Sequence, residues 1–279
     1  MATITNAIAA VTKYVNDESN LYAVMRAASL TDGLLTPMVN FVGAKTMSYP
    51  VFPKNTGDMP DYDPTTGYTR QKATLVRREV TVSQDKGYQN AIDSIDLMDS
   101  GTTAISYINN NVRQMDVPTI DKYRLNVLKT KAGHTEAAAK ATGETALALY
   151  DAAVKQLIDA EFDIAGTIMY CSTDYYNAIK DSTRIYRTLA ANAEGNINRN
   201  VSKLDNNTDV VVVPATRLPE NTQFILVSPK AIICGVKHSV SKVITDPEDF
   251  DGVLINRRVV HDCLVMEDRT DGVYVCTIA

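Results

Sequence analysis

The strongest pattern in the chain is a stripe of apolar residues at helical spacing within residues 105–128. Its first part steps by three and four positions: Ile105, Ile108, Val112 and Met115. Polar side chains such as Asn110 and Arg113 fall on the opposite side. This spacing is typical of an amphipathic helix with one buried face. We therefore predict a long spine helix that packs along the protein core.

A proline interrupts this helical pattern at Pro118. Proline has no backbone N–H, and it disfavours the α conformation for the residue before it, here Val117. We therefore expect the helix to kink or restart at this point, with Asp116 as the cap of the second segment. The apolar pattern resumes at Ile120 and continues to Leu128.

Two segments with alternating apolar residues precede the spine helix. The apolar positions are Met47, Tyr49 and Val51 in the first segment, and Val76, Val80 and Val82 in the second. A period of two is typical of a β-strand with one buried face, so we predict two strands that face each other. Residues 84–88 are then expected to connect the second strand to the helical region.

The loop between these strands is rich in proline, glycine and aspartate. It spans roughly fifteen residues without any periodicity, which is long for a compact domain. One interpretation is a surface hairpin without a partner, and the other, which we favour, is an arm that reaches onto a partner. The candidate contact residues are the charged side chains of this region: Lys54, Asp58, Asp61, Asp63, Arg70, Arg77 and Arg78.

Residues 131–143 are rich in Ala, Gly, Thr and Lys, which marks a boundary before a second lobe. Residues 145–160 form an amphipathic helical pattern, and residues 164–171 form a strand pattern that leads into a short helix capped by Thr173. Two short apolar runs, 210–213 and 224–227, are typical of strands buried on both faces. The second lobe is therefore predicted to be of α/β type.

The end of the chain returns to extended patterns. Short β-type runs occur at 253–255, 259–260, 264–266 and 273–276. The Asp271-Gly272 pair is a turn signal between the last two runs, so we predict a terminal β-hairpin.

Composition and charge narrow the classes of function. The chain has 279 residues, which allows one elaborate domain or two lobes, with 45% hydrophobic and 22% charged residues. No apolar run approaches the ~18 residues of a membrane span, and the N-terminus does not resemble a secretory signal, so we expect synthesis and folding in the cytoplasm. The net charge is −5 and there is no polybasic arm. Any contact with nucleic acid is therefore expected to be weak and non-specific.

Residue types that carry chemistry are scattered rather than clustered. The cysteines lack C-x-x-C spacing and lie in apolar runs, so we interpret them as small buried hydrophobic residues: Cys171, Cys234, Cys263 and Cys276. None of the three histidines lies in a nucleophile or metal motif. His261 and Cys263 share a strand face, but they supply at most two ligands. We expect no catalytic residue, no cofactor and no metal.

Several short segments resemble the major capsid proteins of tailed bacteriophages. They are Asp85-Lys86-Gly87-Tyr88, Ile92-Asp93, Val117-Pro118-x-Ile120-Asp121-x-Tyr123-Arg124, Ile244-x-Asp246-Pro247 and Asp271-Gly272-Val273-Tyr274. The resemblance implies an α+β chain with the Hong Kong 97 capsid fold. It also implies the following parts: an N-terminal arm (1–40), an extended β-hairpin loop (41–88), a peripheral domain with the spine helix (89–132), an axial α/β domain (133–247) and closing strands of the peripheral domain (248–279).

The same resemblance implies a structural role rather than catalysis. The chain is expected to assemble into hexamers and pentamers of an icosahedral phage head that encloses double-stranded DNA, with a portal and either a separate scaffolding protein or unaided closure. We expect residues 1–40 to remain in the mature virion. Some members of the family join a loop lysine to a neighbour's asparagine, but for Lys54 we favour an ordinary solvated lysine.

Two other functions remain as alternatives. Encapsulin compartments share this fold, so a cargo shell is the nearer one. The other is an α/β enzyme built on residues 145–227, although this segment lacks a nucleophile elbow. A pocket with convergent titratable groups at strand ends would favour the enzyme.

Overall fold

The structure is a computed structural model that describes residues 18–35, 40–42, 46–51, 59, 61–68, 76–101, 103–182, 200–205, 207–245, 247–248 and 250–279. The helices in these ranges are α1 (Glu18–Ala28), α2 (Ser94–Ser100), α3 (Ala104–Asn111), α4 (Val117–Thr130), α5 (Ala146–Asp159) and α6 (Thr173–Asp181). The strands are β1 (Asn40–Val42), β2 (Thr46–Val51), β3 (Val76–Thr81), β4 (Gln84–Asp93), β5 (His134–Ala138), β6 (Thr167–Ser172), β7 (Lys203–Leu204), β8 (Thr208–Val213), β9 (Thr222–Val227), β10 (Ile232–Thr245), β11 (Gly252–Val265) and β12 (Val273–Ile278).

The predicted spine helix is present and runs without a break through α3, a π-helical turn (Val112–Asp116) and α4. The expected restart at Pro118 is wrong, since Val117 keeps the right-handed helical conformation with φ −61° and ψ −50° and the helix continues through it. Pro118 lies in the first turn of α4, where a backbone N–H needs no partner, and the wide turn before it accommodates the ring. The hydroxyl of Thr119 donates to the Met115 carbonyl over 2.7 Å, which satisfies an acceptor in the π-helical turn.

The spine packs on two different sheets. Its first part, with Ile108 and Val112, packs against Val243, Ile255 and α1, on the sheet of order β10-β11-β4. Its second part contributes Leu125 and Leu128 to a core on the six-stranded sheet of order β5-β12-β9-β6-β8-β7. The spine therefore joins the two sheets into one body.

The six-stranded sheet is covered on both faces, which explains its apolar strands. On β9, Ile225 and Val227 face the spine, whereas Phe224 and Leu226 face α5 and α6. All six residues of β9 are buried, as predicted for this run. The predicted helix at 145–160 and the predicted strand at 164–171 are also confirmed, although Ser172 rather than Thr173 caps α6 by accepting from the Tyr175 N–H.

Two expectations about the ends of elements are wrong. Residues 84–88 are not a connection, because they begin the ten-residue strand β4, which pairs with β11. The predicted terminal hairpin is absent from this part of the structure, since β11 lies in the three-stranded sheet while β12 pairs with β9 and β5 in the six-stranded sheet. Residues 270–272 form a 3-10 turn that carries the chain from one sheet to the other.

The cysteines fall into two pairs with different chemistry. Cys234 on β10 and Cys263 on β11 are directly opposite each other and form a disulfide. Both are buried in the core, as predicted, but the disulfide between them was not predicted. Cys171 and Cys276 are free and buried, as predicted.

A charge on the buried stripe of the spine is expected to unfold the subunit. Ile108 is 4% exposed, so Ile108→Asp should reduce the free energy of unfolding by several kcal/mol, comparable to a domain's whole stability. The exposed Asn110→Asp provides the matched control on the same helix and should change stability little. Equal thermal melting of the Ile108→Asp variant and the unmodified protein would show that the stripe is not core.

Candidate functional site

The loop predicted to reach a partner leaves the subunit through a β-ribbon. β2 and β3 pair antiparallel, with Met47 opposite Val80, as the two alternating patterns predicted. Met47 and Val82 pack against Val260 of β11 and anchor the base of the ribbon. The base of the ribbon is therefore packed on the body.

The described residues between β2 and β3 include a structured turn around Asp63. Its carboxylate accepts from the Thr65 backbone N–H at 2.7 Å and from the Thr66 hydroxyl at 2.8 Å. The Gly67 N–H closes the turn by donating to the Asp63 carbonyl at 2.7 Å. The bond from the Thr65 N–H lowers the pKa of Asp63, so the turn keeps a negative charge well below neutral pH.

This turn also exposes large apolar side chains. Met59 is 92% exposed, Tyr68 is 87% exposed and Tyr62 is 60% exposed. The two tyrosine rings lie 5.0 Å apart between their centroids. We call residues 59 and 61–68 the loop tip. An exposed apolar group of this kind, rimmed by polar residues, is typical of a protein interaction site.

The structure describes four of the seven candidate contact residues. Lys54, Asp58 and Arg70 lie outside the described residues. Asp61 and Asp63 are exposed on the loop tip.

The two arginines of β3 make contacts inside the subunit. Arg77 donates to the Ser48 hydroxyl across the ribbon at 3.1 Å, and Arg78 pairs with Glu267 at 3.3 Å. Both help to hold the ribbon. A role between subunits stays a prediction for all seven residues.

A buried carboxylate on the spine joins three parts of the chain. Asp121 is 0% exposed and accepts from the Ser29 and Thr31 hydroxyls at 2.7 and 2.6 Å and from the Leu30 N–H at 3.1 Å. Arg217, from the segment after β8, pairs with the same carboxylate at 3.1 Å. Asp121 therefore fixes the N-terminal segment and the six-stranded sheet to the spine.

Tyr123 and Arg124, which follow Asp121 on the spine, also hold other parts of the chain in place. Arg124 donates to the Thr31 hydroxyl at 2.9 Å. The Tyr123 hydroxyl donates to Asp262 of β11 at 2.7 Å, and Asp262 also accepts from the Ser83 N–H at 2.7 Å. The Asp121-x-Tyr123-Arg124 motif thus acts by positioning other elements, including the base of the ribbon.

A second buried ion pair fixes the first half of the spine to β11. Arg257 and Asp116 lie 2.8 Å apart with side chains 1% and 6% exposed, and the guanidinium also donates to Ser239 and Ser241. Asp116 is therefore not a helix cap, and its pKa is raised by burial. Tyr88 lies beside this pair, and burial together with the Asp116 charge raises the pKa of Tyr88 to about 12.

His261 faces a small cavity between β4, β11 and the spine, near Lys86 and Tyr88, with a volume of about 180 Å³. The imidazole is 1% exposed, and its Nδ1 has no hydrogen-bond partner among the described residues. Burial, reinforced by the Arg124 charge, lowers the pKa of His261 to about 4, although the Asp262 carboxylate acts in the opposite direction. His261 is therefore neutral at physiological pH.

Two features bear on the enzyme alternative, namely the free thiols and the pocket at the end of β6. Burial raises the pKa of Cys171 to about 12 and that of Cys276 to about 11, so both thiols are protonated and unreactive. At the end of β6 the structure has a pocket of about 240 Å³, where Lys140 and Asp174 pair with each other at 2.7 Å. Within the described ranges, His, Cys, Asp and Glu side chains form no cluster that could hold a metal ion.

The helices of the described segments include none with the length and apolar character needed to cross a membrane.

Comparison with known proteins finds relatives by structure only. No protein-family model and no curated protein sequence matches this chain. A structure from Mycobacterium phage Che8 matches with a TM-score of 0.65 and 16% identity, covering 84% of both chains. The capsid structure of the cyanophage P-SCSP1u matches with a TM-score of 0.64 and 14% identity, covering 88% of this chain and 86% of that chain. A virus-like particle from Pyrococcus furiosus matches with a TM-score of 0.55 and 9% identity, covering 91% and 98%.

These matches extend over most of the chain and concern phage capsid and shell structures. The predicted α+β fold of Hong Kong 97 type is therefore confirmed.

Loss of the buried charge at Asp121 is expected to destabilise the subunit strongly. Asp121→Asn leaves Arg217 without its counter-ion, and breaking such a buried pair costs about 3 kcal/mol or more. The exposed Asp159→Asn on α5 is the control and should lie within about 0.5 kcal/mol of the unmodified protein. Urea denaturation measures both, and equal losses in the two variants would contradict the role of Asp121.

His261 is expected to make the subunit sensitive to acid. Its folded-state pKa of about 4 lies below the ordinary 6.5, so protonation favours the unfolded state. The free energy of unfolding should fall as the pH drops below 6.5 and level off below about 4, with a total loss of at most about 3 kcal/mol. The variant His261→Gln keeps the titration of Asp116 but should lack this loss. Parallel pH profiles of the two proteins in urea denaturation would contradict the prediction.

Proposed function

We propose that this chain is the structural subunit of an icosahedral shell, a major capsid protein that assembles into hexamers and pentamers of a tailed-phage head. The observation that carries the proposal is the loop tip, which presents three large exposed apolar side chains on a ribbon anchored at its base. A monomer gains little from ordering such a projection, because it contributes no buried core. A neighbouring copy supplies the missing surface.

The interior of the subunit supports the same proposal. Two of the titratable groups with shifted pKa values bind other parts of the chain: Asp116 pairs with Arg257, and Tyr274 donates to Glu136. The buried thiols are inert. These side chains build a rigid body, and we infer that the protein has no catalytic role.

The remaining partners follow from this role. The shell encloses double-stranded DNA and contacts it weakly and without sequence preference, in keeping with a net charge of −5. Assembly uses a portal and either a separate scaffolding protein or unaided closure, after synthesis in the host cytoplasm. The mature protein is then part of the virion.

A cargo compartment of encapsulin type is the second candidate. The observation in its favour is the match to the virus-like particle from Pyrococcus furiosus, 98% of which is covered. The two candidates make the same empty particle from purified protein, and they differ in its contents when it is isolated from the native source. Packaged genomic DNA supports the phage head, whereas a packaged protein supports the compartment.

Removal of the loop tip should separate folding from assembly. A variant in which residues 54–67 are replaced by a tight turn is expected to remain a folded monomer, because this segment adds little to the core, and to form no closed particles. Circular dichroism reports the folding, and negative-stain electron microscopy reports the particles.

A variant of full length provides the matched control for this truncation. Replacing Met59, Tyr62 and Tyr68 by serine keeps the loop length and removes only the exposed apolar surface, and it should also abolish particles. Closed particles from the truncated protein would contradict the proposal that the loop joins subunits. An unmodified protein that stays monomeric under all assembly conditions would overturn the shell function itself.

A further inference from the structure

The disulfide between Cys234 and Cys263 lies at one end of the pair formed by β10 and β11. The two residues face each other across these antiparallel strands, with a Cα–Cα distance of 4.2 Å. On the other side of β10, a backbone bridge joins Cys234 to Leu35 of the N-terminal segment. The bond therefore spans two strands at the place where the N-terminal segment meets their sheet.

The residue before Cys263 connects this place to two further elements. Asp262 accepts hydrogen bonds from the Ser83 N–H, at the base of the ribbon, and from the Tyr123 hydroxyl on the spine, both at 2.7 Å. The same carboxylate also accepts from the Cys263 N–H at 2.8 Å. The ribbon, the spine and the N-terminal segment are thus attached within one residue of the disulfide. A covalent bond here restricts the opening of all these attachments.

Both cysteines are enclosed by the core. Cys234 is 0% exposed and Cys263 is 2% exposed, and they belong to the same apolar cluster as Leu125 and Leu128 of the spine. A thiol or disulfide in solution reacts with a sulfur only where it has access to it. Exchange at this pair therefore requires the end of the sheet to open, and the closed sheet protects whichever state has formed.

The proposed function takes the chain through two redox environments. Thiols stay reduced in the cytoplasm, where the subunit is made, whereas disulfides persist in oxidising surroundings outside the cell. Closing a loop over a sequence separation of 29 residues also stabilises a folded chain, because the bond limits the freedom of the unfolded state. The same subunit thus has a looser reduced form and a firmer oxidised form.

We infer that Cys234 and Cys263 form a redox clamp. They are thiols while the subunit folds in the cytoplasm, and they close to the disulfide when the protein reaches an oxidising medium. Closure fastens the end of the β10–β11 pair, and with it the base of the ribbon and the N-terminal segment. The inference rests on the proposed function for the place of synthesis only, and it adds a control on the rigidity of the subunit.

The oxidant is a small disulfide such as oxidised glutathione. The sulfur of one cysteine, as the thiolate, attacks a glutathione sulfur, which forms a mixed disulfide and releases one glutathione thiolate. The second cysteine then attacks the protein sulfur of the mixed disulfide and releases the other glutathione. The two cysteines lose two protons and two electrons in total, and oxidised glutathione gains them as two glutathione thiols.

Counting thiols tests the change of state. Protein made in a bacterial cytoplasm and lysed directly into denaturant with an alkylating agent should have all four cysteines alkylated. After the folded protein is treated with oxidised glutathione, only Cys171 and Cys276 should be alkylated, and peptide mapping should find Cys234 linked to Cys263. Four thiols after treatment, or a linked pair in the directly alkylated sample, would overturn the clamp.

Cys171 and Cys276 serve as the internal control for this count. They lie in one row across the six-stranded sheet, but each is paired with Phe224 of β9, which separates them. Two cysteines on strands that are not neighbours are too far apart to be bridged without backbone movement. Oxidised glutathione should therefore leave both as thiols.

Thermal unfolding measures the effect of closure. Treatment with oxidised glutathione should raise the midpoint by roughly 5 °C or more. Cys234→Ala removes the bond and should give the same midpoint with and without the treatment. Cys171→Ala with Cys276→Ala should keep the full difference between the two states. A shift of equal size in Cys234→Ala would show that it arises elsewhere and would contradict the inference.

Hydrogen exchange tests the action on the base of the ribbon. In the oxidised protein, the amides of Ser83 and Cys263 should exchange severalfold more slowly than in the reduced protein, because the opening of this end of the sheet is restricted. The amides of α5, which packs in the other core, report on overall stability and should slow less. Equal slowing at both places would overturn the action on the ribbon.

The outcomes distinguish this inference from the proposed function. All three measurements use the soluble subunit, so failure of the protein to form particles overturns the shell function and leaves the clamp intact. Normal particles from a protein that keeps four thiols after oxidation overturn the clamp alone.

Discussion

The buried carboxylate of Asp121 is the interaction on which the arrangement of the subunit depends. Its hydrogen-bond partners lie at residues 29–31 on one side and at Arg217 on the other, 90 to 96 positions away in the chain. An unpaired carboxylate at a fully buried position would be strongly unfavourable. The N-terminal segment and the six-stranded sheet must therefore meet at the spine for the native state to form, and this requirement sets their relative positions.

The spine helix connects the two sheets into one rigid body. Its two halves pack on different sheets, and the Arg257–Asp116 pair holds the first half as Asp121 holds the second. Alternating residues of the central strands fill both faces of the six-stranded sheet. Within the described part of the chain, the ribbon extends from this body, anchored by Met47 and Val82 on Val260.

The surface of this chain exposes apolar and charged groups that no other described part of the chain covers. The loop tip exposes aromatic rings beside carboxylates, and Lys86 and Lys122 are exposed beside the apolar surface of Tyr123 and Leu218. A subunit built for solution would gain by covering the first and pairing the second within itself. Under the proposed shell function, a second copy of the chain covers these surfaces.

Local pattern by itself determined the elements whose burial is periodic. The apolar stripe of the spine, the strand β2, the helix α5 and the apolar strands β6 and β9 all follow from spacing, because their apolar faces are largely buried. The alternation in β3 also predicted its pairing with β2, although Val76 is exposed. Tertiary structure alone decided what depends on distant partners. It placed β4 beside β11, where a polar sequence with few apolar residues is paired by backbone hydrogen bonds, and it moved β12 to another sheet. It also kept Pro118 within a continuous helix and brought Asp121 to Arg217, since packing and buried charge outweigh the local preference of any one residue.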